Sequence, residues 1–208
     1  MKREMVDIRK VGMQKGLLYE TIITTKNVDN IPNAAPIGVI CKSEEEIIVY
    51  LHHGSHTLDN IKLQKKFVVN IVKDPETFVQ CTISDPSSEY FKKYKDQFVL
   101  RNADGFFITE LTDIKEVEKK DQLGVSRLSI IKAYAKEVII NEKCVKPFNR
   151  ASFAVIESLI YLTRLELVDK DTRLQYIERI REMSKLVNKV GGSKHKKAMQ
   201  NLLDSIER

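Results

Sequence analysis

The chain has 208 residues, 42% of them hydrophobic and 31% charged, a balance that describes a globular protein and excludes a disordered or collagen-like one. Its 35 basic and 29 acidic residues leave a net charge of +6, which suits a phosphate-bearing ligand or a nucleic acid without requiring either. Aromatics make up only 7% and Trp is absent, which argues against a broad base-stacking platform. The three cysteines, Cys41, Cys81 and Cys144, form no CxxC pair and suit a reducing cytoplasm. No apolar run approaches the roughly 18 residues that span a bilayer, and the charged start Met1 to Lys10 predicts no secretory leader.

The first two thirds of the chain read mostly as strands. Leu17 to Thr25 is rich in β-branched residues, and Asn33 to Lys42 and Glu46 to Leu51 follow after polar turns. Pro36 cannot donate to a ladder and so marks an edge, a bulge or a break. A short helix is predicted from Thr57 to Gln64, then a buried strand from Phe67 to Val72, which Asp74-Pro75 breaks. Phe78 to Ile83 reads as a further strand, and Ser87 to Tyr94, after Pro86, as a helix. Phe98 to Thr109, Ile114 to Lys120 and Arg127 to Ile140 return to strand character.

The pattern changes near Lys146-Pro147-Phe148-Asn149. Phe153, Ile156, Ile160 and Thr163 fall at helical spacing, joined by Leu159 and Leu162, and predict a first helix. Asp169 or Asp171 caps a second, lined by Leu174, Ile177, Ile180 and Leu186 and ended by Gly191-Gly192. Ser193 caps a third, with Met199, Leu202, Leu203 and Ile206 inside and Lys194 to Lys197 on its solvated face. The expected plan is a β-rich domain over 1–145 and a helical segment over 146–208.

The stretch from Gly54 to Val72 carries the chemistry. Gly54 permits close backbone approach, and Ser55 and Thr57 place hydroxyls at a helix start. Free N–H groups and the helix dipole make such a start a binding site for phosphate. Capping alone is the commoner role of Ser or Thr at this place.

The order Ser55-x-Thr57-x-x-Asn60-Ile61, then Phe67-Val68-Val69-Asn70, resembles the flavin reductase-like members of the FMN-binding split-barrel flavoproteins, the superfamily that includes the pyridoxamine-phosphate oxidases. Asn33-Ala34-Ala35-Pro36-Ile37-Gly38 is similar to the strand beside the flavin ring in those proteins. The whole chain resembles an uncharacterised, mainly archaeal family of these flavoproteins with a helical tail, through Asn149-Arg150-Ala151, Ile156-Glu157 and Leu162-Thr163-Arg164. The resemblance implies an α+β fold, a six-stranded Greek-key split β-barrel with a helical C-terminal segment. It also implies a homodimer with FMN near the interface. Ser55 and Thr57 would bind the phosphate, and Asn60 would support that loop or touch the ligand. Ala35, Pro36 and Ile37 would face the ring through their backbones, and His53 and Gly54 would line the approach. Asn70 would contact flavin or fix its strand. Many members offer an arginine or lysine beside the phosphate loop; here His56 stands between the two hydroxyls, and Arg150, backed by Lys62 and Lys66, is the candidate cation. The function implied is an oxidoreductase with the flavin N5 as hydride acceptor and NADH or NADPH as donor. A non-catalytic module for FMN or another phospho-ligand, and a nucleic-acid-binding barrel, are the alternatives. No GxGxxG stretch is present for a tightly held dinucleotide.

Other constellations read as structural. His52-His53-x-x-His56 follows a strand and contains Gly54, so a shared helical face for a metal is not expected. Each cysteine has apolar neighbours and reads as buried. Glu157 and Arg164, two turns apart on an apolar helix, read as an ion pair or as partly exposed charges.

Overall fold

The computed structural model describes residues 6–84, 86–121 and 124–206. Two compact units emerge, 1–148 and 149–208, where the sequence predicts a boundary after 145. The segment ending at Phe148 stays with the first unit because the Glu20 N–H donates to the Phe148 carbonyl at 2.8 Å and the Phe148 ring lies 6.1 Å from that of Phe78.

The first unit opens with a 3-10 turn, Ile8–Val11, and continues with β1 (Leu18–Lys26), β2 (Pro32–Cys41), β3 (Glu46–His52), α1 (His56–Gln64) and β4 (Lys66–Ile71). There follow α2 (Pro75–Ile83), β5 (Phe91–Tyr94), β6 (Gln97–Leu100), β7 (Gly105–Asp121) and β8 (Gly124–Ile140). Six strands close an antiparallel barrel in the order β1-β2-β3-β8-β7-β4, with β4 returning to β1; β5 and β6 form a separate hairpin. The expected split barrel is therefore present.

Alternation fills the barrel: on β3, Ile47, Val49 and Leu51 point inward and Glu46, Ile48, Tyr50 and His52 outward. Strand β4 is apolar but for Lys66 at its start and Asn70, because both its faces are covered. Phe67, Val69 and Ile71 join the barrel core, whereas Val68 packs with Val99, Phe106 and Ile108 outside it. A further cluster of Ile22, Val72, Cys81, Phe91 and Leu100 seats α2 and the hairpin against the barrel. Strand β2 pairs with β1 along its length but with β3 only from Val39. Pro36 falls in the one-sided stretch, an edge position where a residue without an N–H is tolerated.

Three predicted elements change. Phe78 to Ile83 is helical, not a strand: the Asp74 carboxylate accepts the N–H groups of Glu76 and Thr77, and Pro75 occupies the first turn of α2. That start signal outweighs the β-branched composition. Only Ser88–Tyr90 of the predicted helix Ser87 to Tyr94 turns, as a 3-10 segment. Phe91–Tyr94 pairs with Gln97–Leu100 across a tight turn in which Lys95 adopts φ 54°. The single strand predicted from Phe98 to Thr109 is split between β6 and β7.

The second unit contains α3 (Arg150–Leu162), α4 (Lys170–Val190) and α5 (Ser193–Ile206). Asp169 caps α4 by accepting the Asp171 and Thr172 N–H groups, both at 3.0 Å. Gly191 ends α4 with φ −91° and ψ 153°, extended rather than left-handed; a Cβ there would lie 2.7 Å from the Val187 carbonyl. Ser193 begins α5 rather than capping it, and the His195 Nδ1 accepts the N–H of Gly192 at 3.2 Å. The apolar stripe of α3 is not its buried face. Ala151, Ala154 and Ser158 are buried, whereas Phe153, Ile156 and Leu159 are about half exposed. Helix α4 buries Ile177, Ile180, Val187 and Val190 and leaves Leu174 exposed, and α5 buries Met199 and Leu202. Glu157 and Arg164 are exposed. Among the described residues, no helix is long and apolar enough to cross a membrane.

Candidate functional site

Strand β3 ends at His52, and the chain turns into α1 through Gly54 at φ 79°. A Cβ on Gly54 would meet nothing within 4 Å, so the backbone angle, rather than a close protein contact, calls for glycine there. Ser55 is the cap of α1. Its hydroxyl donates to the His52 carbonyl at 2.9 Å and accepts the Leu58 N–H at 3.4 Å. The Asp59 N–H goes to the Ser55 carbonyl at 3.2 Å. The N–H groups of His56 and Thr57 precede the helical ladder and are left over. Thr57 is 3% exposed, and its Oγ1 accepts from the Asn33 Nδ2 at 3.1 Å. The Thr57 hydroxyl proton therefore remains available to an outside acceptor.

Ser55, His56 and Thr57 line a cleft of about 390 Å³, and Cys81 to Ser84, at the end of α2, form another part of its wall. A recess of about 340 Å³ shares Asn33 and His56 with it and adds Asn27, Asp59 and Asn60. Ala34 and Ala35 bring the one-sided stretch of β2 to the cleft; Pro36 and Ile37 continue along that strand beyond the lining. The Ile37 carbonyl accepts the Thr21 hydroxyl at 3.0 Å.

The other predicted site residues are distributed differently. Asn60 is 8% exposed and anchors α1, its Nδ2 donating to the Thr25 Oγ1 at 3.0 Å. Asn70 is fully buried in the barrel wall. Its Nδ2 donates to the Ile22 carbonyl at 3.0 Å and the Thr24 Oγ1 at 3.1 Å, and its Oδ1 accepts the Leu100 N–H at 3.0 Å. Of the two roles open to it, the geometry displays strand fixing. His53 lines a separate pocket of about 430 Å³ with Glu116 and Arg127; its Nε2 lies 3.2 Å from the Ser129 Oγ and 3.9 Å from Glu116. Arg150 is the first residue of α3, in the second unit. The two lysines behind it as candidates make ion pairs, Lys62 with Glu116 at 3.1 Å and Lys66 with Asp96 at 3.9 Å.

Among the described residues no group of three His, Cys, Asp or Glu side chains converges as a metal site. Cys41 and Cys81 are buried, and burial pushes both thiols up to about 11, far from a reactive thiolate. Cys144, expected to be buried, is exposed. Sequence reasoning missed Asn33 as the partner of Thr57 and the end of α2 as a wall. The signal for α2 was available in Asp74-Pro75, read there only as a break.

The chain is similar to known proteins over both units. The profile for the protein of unknown function DUF447 matches residues 19–135 with its N-terminal domain and residues 149–204 with its second part. The uncharacterized protein MJ1453 of Methanocaldococcus jannaschii is 28% identical over 194 residues, covering 91% of this chain and 98% of the relative. The crystal structure of the FMN-bound protein MM1853 from Methanosarcina mazei is 30% identical, covers 96% of this chain and 100% of that one, and superposes with a TM-score of 0.56. The flavin reductase HpaC, solved in complex with NADP+, shares the fold at a TM-score of 0.52 and 18% identity, covering 67% of this chain and 89% of that one. With both of its parts matched in order along one chain, the protein belongs to the DUF447 family.

Proposed function

We propose that the cleft beside α1 holds FMN and that the chain is a flavin-dependent oxidoreductase. The observation that carries this reading is the set of donors at the start of α1. The His56 and Thr57 N–H groups and the Thr57 hydroxyl proton stand where a phosphate would be received. The residues fit the rest of the cofactor as well. The open side of β2 offers backbone groups at Ala34, and the small side chains of Ala34 and Ala35 let a flat ring approach the strand. The family relative with bound FMN supports the assignment, and the fold shared with a flavin reductase supports the redox class.

Bound FMN would supply hydride acceptance at its N5. The chain's own part is to bind and orient. Thr57 donates to the phosphate while Asn33 holds its oxygen from behind, and Ser55 fixes the turn that presents both N–H groups. The buried Cys81 stays protonated at neutral pH and leaves the cleft without a competing thiolate. NADH or NADPH is the donor of this reading, docking transiently because the chain has no dinucleotide loop. The reading includes a homodimer: Tyr50 and Tyr134 are 46% and 38% exposed on the outer barrel face beside Ile48 and Ile130, a patch of the kind that a second copy covers. It places the protein in the cytoplasm, in keeping with three free cysteines.

The test is a visible spectrum of the purified protein given FMN and passed through gel filtration. Retained flavin bands are expected, and Thr57→Val should weaken FMN binding about tenfold with the fold intact. Bleaching by anaerobic NADPH or NADH supports the oxidoreductase, whereas retention without bleaching by either would reduce the function to an FMN carrier. A protein that holds no FMN overturns the reading.

A further inference from the structure

A phosphate monoester carries a charge of about −1.5 to −2 at neutral pH, whereas a helix N-terminus offers about half a positive charge. The remainder has to come from a side chain. No lysine or arginine is among the described residues that line the cleft and its recess. Lys62 and Lys66, the lysines of α1 and the start of β4, point their charges at Glu116 and Asp96. Asp59 lines the recess and adds a negative charge that repels a phosphate.

One side chain answers this imbalance. His56 lines both the cleft and the recess, at the first position of α1. It is exposed, and its ring makes no hydrogen bond or ion pair with any described residue. Its backbone N–H is one of the two left over at the helix start. Resting on the FMN reading, we propose that His56 is the cationic partner of the flavin phosphate: its ring donates a charge-assisted hydrogen bond to a phosphate oxygen. In this role it offsets Asp59 and stands where a permanent cation would otherwise be needed. Its contribution falls on the phosphate ester alone, so it sets the preference for FMN over riboflavin, which carries the same ring without the phosphate.

The experiment measures dissociation constants for FMN and for riboflavin by quenching of flavin fluorescence in the wild type, His56→Gln and His56→Lys. Glutamine keeps a donor but loses the charge, and lysine restores the charge. His56→Gln should weaken FMN about tenfold and leave riboflavin unchanged, and His56→Lys should return FMN to within about threefold of the wild type. Unchanged FMN binding in His56→Gln, or equal weakening of both flavins, overturns the role of His56. If Thr57→Val still weakens FMN in that case, the FMN reading stands without it. A wild type that binds neither flavin overturns both.

Discussion

The barrel and helix α3 hide different kinds of side chain. Inside the barrel lie Phe67, Phe107, Ile131 and Leu51, at 2% exposure or less, and the wall polar group Asn70 has partners on every polar atom. In the helical unit α3 turns Ala151, Ala154 and Ser158 inward and leaves Phe153, Ile156 and Leu159 half exposed, and the Ser158 hydroxyl is buried without a partner. The contrast follows from geometry. A barrel must fill a fixed interior, which takes large side chains. Helices that approach closely need small ones at the contact, and the larger residues are displaced to the outer face.

The largest test of this contrast is Asn70→Ala. It removes three hydrogen bonds and leaves the Leu100 N–H and the Ile22 carbonyl short of a partner in a dry wall, so urea unfolding should show a loss of about 3 kcal/mol. A loss below about 1 kcal/mol would mean that the hairpin is not anchored through Asn70.

An intermediate effect is expected from Cys81. Its thiol is raised from 9.0 to about 11 in the folded chain by burial. Below pH 9 the thiol is protonated in both states. As the pH rises from 9 toward 11 the unfolded chain ionises first, so the stability held by the neutral buried thiol is lost over that window. In Cys81→Ala the loss between pH 8 and 10 should be smaller by about 1 kcal/mol.

The smallest effect belongs to the helical unit. Ile156→Ser should change stability by no more than about 0.5 kcal/mol, because Ile156 is 55% exposed. A loss of about 2 kcal/mol or more would show that its outer face is covered in solution, and would break the contrast.

What could be read beforehand divides along similar lines. Strand β4 was legible because Phe67 to Val72 is apolar except at Asn70 and flanked by a helix and an Asp-Pro break, and α1 because Gly54 and Ser55 announce its start. Helix α2 was misread because Phe78, Val79, Thr82 and Ile83 resemble a strand when composition is weighed before capping. Helix α3 was legible as a helix, but which of its faces is buried was not. Periodicity marks an apolar stripe but does not say whether a neighbour packs on it or on the small residues beside it. In the site, Ser55 and Thr57 were legible as the start of α1 through local pattern, whereas Ala35 entered only through the family resemblance. The Asn33 to Thr57 bond was not, since it joins residues 24 apart on different elements, and neither was the sealing of Asn70, which depends on the carbonyl of Ile22 and the N–H of Leu100.

The one-sided stretch of β2 has a consequence for the life of the protein among its own copies. A strand that pairs on one side only is a template onto which a foreign strand can zip, the usual beginning of edge-to-edge aggregation. Here α1 and α2 pack against β2, and Pro36 interrupts its row of donors at the middle. An incoming strand would find a gap where its carbonyl needs an N–H. The strand can thus keep its backbone open to a small ligand while refusing a growing sheet.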